Sequence, residues 1–241
     1  MPATAMRIHD ASAYRIANEL DILSEFIQSN GQRLLELGCG RAWMTRLLAE
    51  RWAPQILVAT EVDQVQHAKN LAIQDLPQVS FRLGGAQAIE APDQDFDLVF
   101  LFKSLHHVPR ELMDQALGEI HRVLKPGGLV YVSEPVYWGD FNAILSLFND
   151  EREVREAAFD ALVRAVAAGM FDLQAEVFFQ VPGTYDSWEA FEQQFLNVTH
   201  TEFAMTPELY QRVRAAFLAH LTPGGASFLK PHRADLLRRP G

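Results

Sequence analysis

The sequence predicts a doubly wound α/β fold, and three observations carry that prediction. Short runs rich in Leu, Val, Ile and Phe recur at "RLLEL", "QILVAT", "VSFRL", "FDLVFLF" and "GLVYVSEP". Each run is apolar almost throughout, as fits strands covered on both faces. Helical patterns lie between them, so strand alternates with helix. That alternation means a parallel sheet, and right-handed crossovers place helices on both sides of it.

The elements follow in order. Ahead of the first strand, "DASAYRIANELDILSEFIQSN" reads as an amphipathic helix. The stretches "AWMTRLLAERW", "DQVQHAKNLAIQ" and "RELMDQALGEIHRVL" read as the helices between strands. The last of these puts Leu112, Ala116, Leu117, Ile120, Val123 and Leu124 on one face, and "KPGG" stops it. After Glu134 the alternation breaks. "FNAILSLFNDEREVREAAFDALVRAVAAGMF" is helical and unusually apolar, and "QAEVFFQV" reads as a sixth strand. Two helical stretches, Ser187–Phe195 and Thr206–Leu221, precede "GGASFLKPHRADLLRR", a final strand with its Pro at an edge or bulge. The expected organisation is one domain: a cap helix over 1–30, a ligand-binding core over 30–135, a sixth strand and helical cap over 136–225, and a final strand and tail over 226–241.

Composition excludes several classes. The formal net charge of −10 opposes binding to a phosphate backbone, so nucleic acid is not an expected partner. The basic cluster "KPHRADLLRRP" is read as a solvated tail or edge strand. No apolar run approaches the ~20 residues of a membrane helix, and "MPATAMRIHD" lacks the apolar segment of a signal peptide. Cys39 is the only cysteine, which rules out internal disulfides and thiolate-rich metal sites. These features predict a cytoplasmic protein with no membrane partner.

"RLLELGCGRAW" ends a strand in a glycine-rich turn and opens a helix, presenting backbone amides to a ligand. Gly38 and Gly40 let that ligand approach the backbone closely. Glu61 ends the next strand, where a carboxylate can accept two ribose hydroxyls. A dinucleotide fingerprint requires a third glycine, and Trp43 stands there instead. A nucleoside ligand without a pyrophosphate fits better than a nicotinamide dinucleotide.

"LLELGCGRA", "VATEVD", "FDLVFLFKSLHHV" and "RVLKPGGLVYVSEP" together resemble the class I S-adenosylmethionine-dependent methyltransferases, in the family's order and spacing. Nearest in look is the small-molecule group that includes the quinone-biosynthesis enzymes. The resemblance implies a seven-stranded, mostly parallel sheet of order 3-2-1-4-5-7-6 with a helical cap, and S-adenosylmethionine as cofactor. Carried onto this sequence, Glu36, Gly38, Cys39 and Gly40 match the loop along the methionine part of that cofactor. Glu61 matches the ribose carboxylate, Val62 the adenine contact, and Phe102 the end of the fourth strand. Gly85, Ala86 and Gln87 fall where the family writes Gly-Asp-Ala, so the adenine-binding acid is missing. Gln87, a backbone carbonyl or a water would have to accept in its place.

Methyl transfer from a sulfonium demands alignment and exclusion of water, and for some nucleophiles a base. The catalytic candidates are His106 just past the fourth strand, Tyr14 and His200. Tyr14 resembles an N-terminal tyrosine that closes over the cofactor; the other reading is a half-buried helix aromatic. The pair His106–His107 lacks carboxylate or cysteine company, so no metal is expected. The expected function is methyl transfer to a small, largely apolar acceptor at O, N or S; the alternative is a non-catalytic binding or scaffold protein of the same fold. Met1–Asn30 and Tyr137–Phe171 are apolar on more than one face. They are read as a mobile lid, with a permanent cap or a homodimer interface as the competing accounts.

Overall fold

A computed structural model of the chain describes residues 6–28, 30–196 and 204–241. Among these residues one sheet contains β1 (Arg15–Ile16), β2 (Arg33–Leu37), β3 (Ile56–Glu61), β4 (Val79–Leu83), β5 (Phe96–Phe102), β6 (Leu124–Pro135), β7 (Asp172–Tyr185), β8 (Leu221–Thr222) and β9 (Gly225–Arg238). Its order is β1-β7-β9-β6-β5-β2-β3-β4, with β8 beside β9. The sheet therefore has nine strands where seven were expected. Setting aside the two-residue strands β1 and β8, the remaining seven lie in the order 3-2-1-4-5-7-6. The last of them, β9, runs antiparallel to both β6 and β7.

Two apolar faces explain why the strands read as continuous hydrophobic runs. On one face, Leu34, Leu57, Phe100 and Tyr131 pack against α1 (Glu19–Phe26) and α2 (Trp43–Trp52). The other face, with Leu35, Val99, Leu101 and Val132, is covered by helical residues that include Leu117, Ile120 and Leu162. Successive side chains of a strand point to opposite faces, so neighbours such as Leu34 and Leu35 serve different cores. Of the further helices, α3 spans Gln64–Asn70, α4 Met113–Val123, α5 Gly139–Leu145, α6 Arg152–Ala167, α7 Trp188–Phe195 and α8 Pro207–Leu218. α5, α7 and α8 join the ends of β7 and β9 in a third, aromatic cluster around Phe141, Tyr185, Phe191 and Phe217.

Two expectations are corrected. The N-terminal stretch is not one long helix: Asp10 accepts from the Ser12 N–H and hydroxyl in a turn, and Arg15–Ile16 pairs with β7, leaving eight residues helical. Such side-chain hydrogen bonds from Asp compete with helix formation. For the lid, the burial favours the competing account of a permanent cap: Ile22 and Leu23 of α1 and Ala158, Ala161 and Leu162 of α6 are fully buried in the two main cores. The C-terminal basic cluster is neither tail nor edge. It forms β9 between β6 and β7, with Arg233 and Asp235 buried as an ion pair at 2.8 Å. Pro231 is tolerated because its ring nitrogen faces the β6 side just beyond the last pair, Pro135 with His232; its carbonyl still accepts from the Val136 N–H.

Candidate active site

The strand order reverses between β2 and β5, since β3 and β4 lie on one side and β6 on the other. Open α/β sheets bind ligands outside the carboxyl ends of the strands at such a point. A cleft of about 920 Å³ opens there. Glu36, Gly38, Cys39, Gly40, Glu61, Val62, Ala86 and Phe102 all line it, while Gly85 and Gln87 do not. The Gln87 amide instead folds over Gly85, with Nε2 2.9 Å from where a Cβ on Gly85 would stand. It fills the space that a side chain at residue 85 would take.

The glycine loop is held from three directions. Gly38 has φ +73°, and a Cβ there would come within 2.8 Å of the Ser104 Cβ. Ser104 packs so closely because its hydroxyl donates to the Leu37 carbonyl at 2.7 Å, tying the loop after β5 to the end of β2. Gly40 has φ +51° with open space around its Cβ position. Its carbonyl accepts from the Asn70 amide at 2.8 Å, which anchors the loop to α3. Ala42 also adopts φ 60°, a left-handed conformation that costs an alanine roughly 1–2 kcal/mol. The site holds that strained residue at the start of α2.

The two carboxylates differ in their surroundings. Glu36 is buried and accepts one hydrogen bond, from the Thr45 hydroxyl at 2.6 Å. Burial pushes its pKa up to about 8, so it is largely protonated at neutral pH. Glu61 is ringed by donors: the N–H groups of Gly40 at 2.8 Å, Val62 at 2.8 Å and Asp63 at 2.9 Å. It therefore organises the glycine loop in addition to facing the cleft. Cys39 is buried, with the Asn70 amide 3.4 Å from its sulfur, and burial raises its thiol pKa strongly. A thiol in that state is a packing group rather than a nucleophile.

The catalytic candidates are not gathered at the cleft. His106 is buried, and its Nδ1 bonds the Glu134 carboxylate; His107, beside it, lines the cleft. The Glu134 charge raises the His106 pKa against the effect of burial. Tyr14 lies at the β7 edge, its hydroxyl 3.0 Å from His9 Nδ1 and its ring 5.1 Å from Trp138. It is not among the cleft's lining residues. His200 lies outside the described residues. The histidine pair is also less bare than its sequence suggests: Glu151, preceding α6, brings a donor oxygen within 4.8 Å of both rings. That carboxylate is already bonded by Arg155 at 2.6 Å and Asn149 at 3.0 Å, so its charge is compensated as it stands.

Residues 34–128 match the family described as a methyltransferase domain. Over that stretch the chain is similar to a methyltransferase domain. It is 32% identical over 120 residues to the demethylmenaquinone methyltransferase of Lysinibacillus sphaericus, covering 47% of this chain and 49% of that protein. It is 33% identical over 100 residues to the fatty-acid O-methyltransferase of Mycolicibacterium smegmatis, covering 41% of this chain and 35% of that one. The chain thus spans half or less of these relatives, and what is shared is the domain. The fold extends further: the Bacillus subtilis YcgJ protein superposes with a TM-score of 0.64 over 92% of this chain and 98% of that one, at 16% identity. The non-catalytic scaffold reading draws no support from these matches.

Within this methyltransferase domain, sequence reasoning missed Thr45 and Asn70. Both are buried polar side chains that fix a site residue by one hydrogen bond. Thr45 sits nine residues after Glu36 on the first helical turn beyond the loop, a spacing that was readable. Asn70 is thirty residues from Gly40, and nothing in "HAKNLA" marks it.

Proposed function

We propose that this protein is an enzyme that transfers a methyl group from S-adenosylmethionine to a small, largely apolar acceptor at oxygen, nitrogen or sulfur. The observation that carries the reading is the cleft at the strand reversal, where a two-glycine loop lies between the carboxylates of Glu36 and Glu61. The residues present fit that cofactor. Gly40 leaves open space beside a bare backbone, Glu61 offers the ribose an acceptor, and exposed Val62 offers the adenine an apolar face. The bound cofactor would supply an electrophilic methyl group.

Glu36 has a second part to play. Protonated in the free protein, it favours its charged form beside a sulfonium, so binding of the cationic cofactor would release a proton. Phe102, Ser104 and His107 line the same cleft, and this reading assigns them to the acceptor side. A cytoplasmic location belongs to the same proposal, consistent with a single cysteine.

Calorimetry with S-adenosylhomocysteine tests this reading. The native protein should bind one equivalent, and Gly38→Val should lose binding by at least about 100-fold while keeping its circular dichroism. The branched side chain strikes Ser104 and is strained at φ +73°. Normal binding by the variant would place the ligand elsewhere, and no binding by the native protein would sink the proposal.

A further inference from the structure

Beyond the cleft, the same end of the sheet collects positive charge. Lys103 follows β5 with φ +57° and lines the cleft. Its ammonium is 3.4 Å from Glu19 Oε2, longer than a charge-assisted hydrogen bond, and Glu19 also accepts from the Tyr131 hydroxyl at 2.8 Å. Lys230 lies on β9 with its side chain half buried. Among the described residues its ammonium has no carboxylate partner. It lies 3.5 Å from the Tyr185 hydroxyl and over the rings of Phe141 and Tyr185, at 5.4 and 5.8 Å. Those two rings are themselves stacked, 5.8 Å apart.

The register places the two lysines on one face. Glu19, which meets Lys103, belongs to the helix packed on the face of Tyr131 and Phe179. His232 stacks on Phe179 and so points to that face, and Lys230, two residues earlier on the same strand, points with it. Pairing with β6 ends at His232, so Lys230 extends past the end of β6 towards the ligand side of the sheet. The groups there are mutually aware. Burial and the Lys103 charge lower the Lys230 pKa, and burial with Lys103, Lys230 and Arg155 pushes His232 down to about 3. In a chain of net charge −10, a pair of ammonium groups with one weak carboxylate contact between them is a local reversal of sign. An exposed ammonium on the cleft, with a second, half-buried ammonium on the same face, suits a ligand that is anionic at one end and apolar at the other.

We propose that Lys103, on the cleft, and Lys230, beside it on the same face, form a carboxylate-binding subsite, so that the acceptor is an organic acid whose apolar body lies in the cleft along Phe102 and Val108. The inference rests on the methyl-transfer reading for the word acceptor, while the anion site itself stands on the lysines. It narrows the acceptor class from largely apolar to apolar with one carboxylate.

Three probes with the same phenylpropyl skeleton test it by calorimetry, with and without saturating S-adenosylhomocysteine: 3-phenylpropionate, 3-phenylpropanol and 3-phenylpropylamine. The acid should bind at least about tenfold more tightly than the alcohol, with the amine weakest. Lys230→Met keeps the aliphatic stem and should remove the preference for the acid while leaving S-adenosylhomocysteine affinity unchanged. Sulfate at equal ionic strength should compete only weakly, since it lacks the apolar body; competition by sulfate as strong as by the acid would make this a bare inorganic-anion site and overturn the acceptor class. Equal affinity for the three probes, absence of binding by all of them, or an acid preference that survives Lys230→Met would overturn the proposal. Failure of S-adenosylhomocysteine to bind would sink the methyl-transfer reading alone, because the acid preference is also measured without it.

Discussion

A buried carboxyl group with one hydrogen-bond donor is held in its neutral form, and Glu36 is such a group. Its pKa rises from 4.5 to about 8 through burial, so between those values the folded protein binds more protons than the unfolded chain. Stability from this residue is therefore complete below about pH 4.5 and is lost as pH rises towards 8. Glu36→Gln keeps an acceptor for Thr45 and does not titrate. Urea unfolding at pH 5 and pH 8 should show the native protein losing more stability than the variant over that interval. The difference is on the order of a few kcal/mol, since each pKa unit is about 1.4 kcal/mol. Equal losses would mean that Glu36 is ionised in the folded state. At this scale the sequence showed which residues stand at the loop but not their condition. Glu61 was read as a free ribose acceptor, whereas three backbone N–H groups already bond it.

Among the elements, α4 was legible because its apolar residues recur at helical spacing; Ala116, Leu117, Ile120 and Val123 are all buried. α6 shows the limit of the same signal. Its apolar residues are as plain in sequence, yet periodicity does not say what they cover, and the lid reading followed from that gap. In the fold, α6 packs beside α4 in the core, with Leu162 fully buried. Leu162→Ala should therefore cost about 2–5 kcal/mol of global stability, as for other large-to-small core changes. Denaturant titration of the ligand-free protein measures it. A cost under about 0.5 kcal/mol, the range of surface changes, would favour the lid. The N-terminal segment failed differently: its helical pattern is real over α1, but a two-residue strand and an Asp turn precede it.

For the molecule as a whole, β9 decides whether there is one sheet. It pairs with both β6 and β7, and among the described residues β7 has only β1 as its other neighbour. A chain ending at Pro223 should leave β7 and the third aromatic cluster without support and expose the edge of β6. Loss of near-ultraviolet circular dichroism together with aggregation on size exclusion is the expected outcome; a monomer with native dichroism would show that residues 6–196 fold without it. The charges in β9 made this strand look solvated. Arg233 donates to Asp235 Oδ2 inside the sheet, so composition alone misplaced it.

What the sequence determined by itself was the alternation of strand and helix, the glycine loop and the acids that end β2 and β3, because each is written in local spacing and turn chemistry. The strand order and the cofactor came with the family resemblance. Only the tertiary structure decided that Ser104 presses on Gly38, that Glu151 meets the histidine pair, that β9 is interior, and that Lys103 and Lys230 share one face. Those juxtapositions join residues tens to more than a hundred positions apart. Strand order and register fix them through burial of two faces at once, and no local periodicity carries that information.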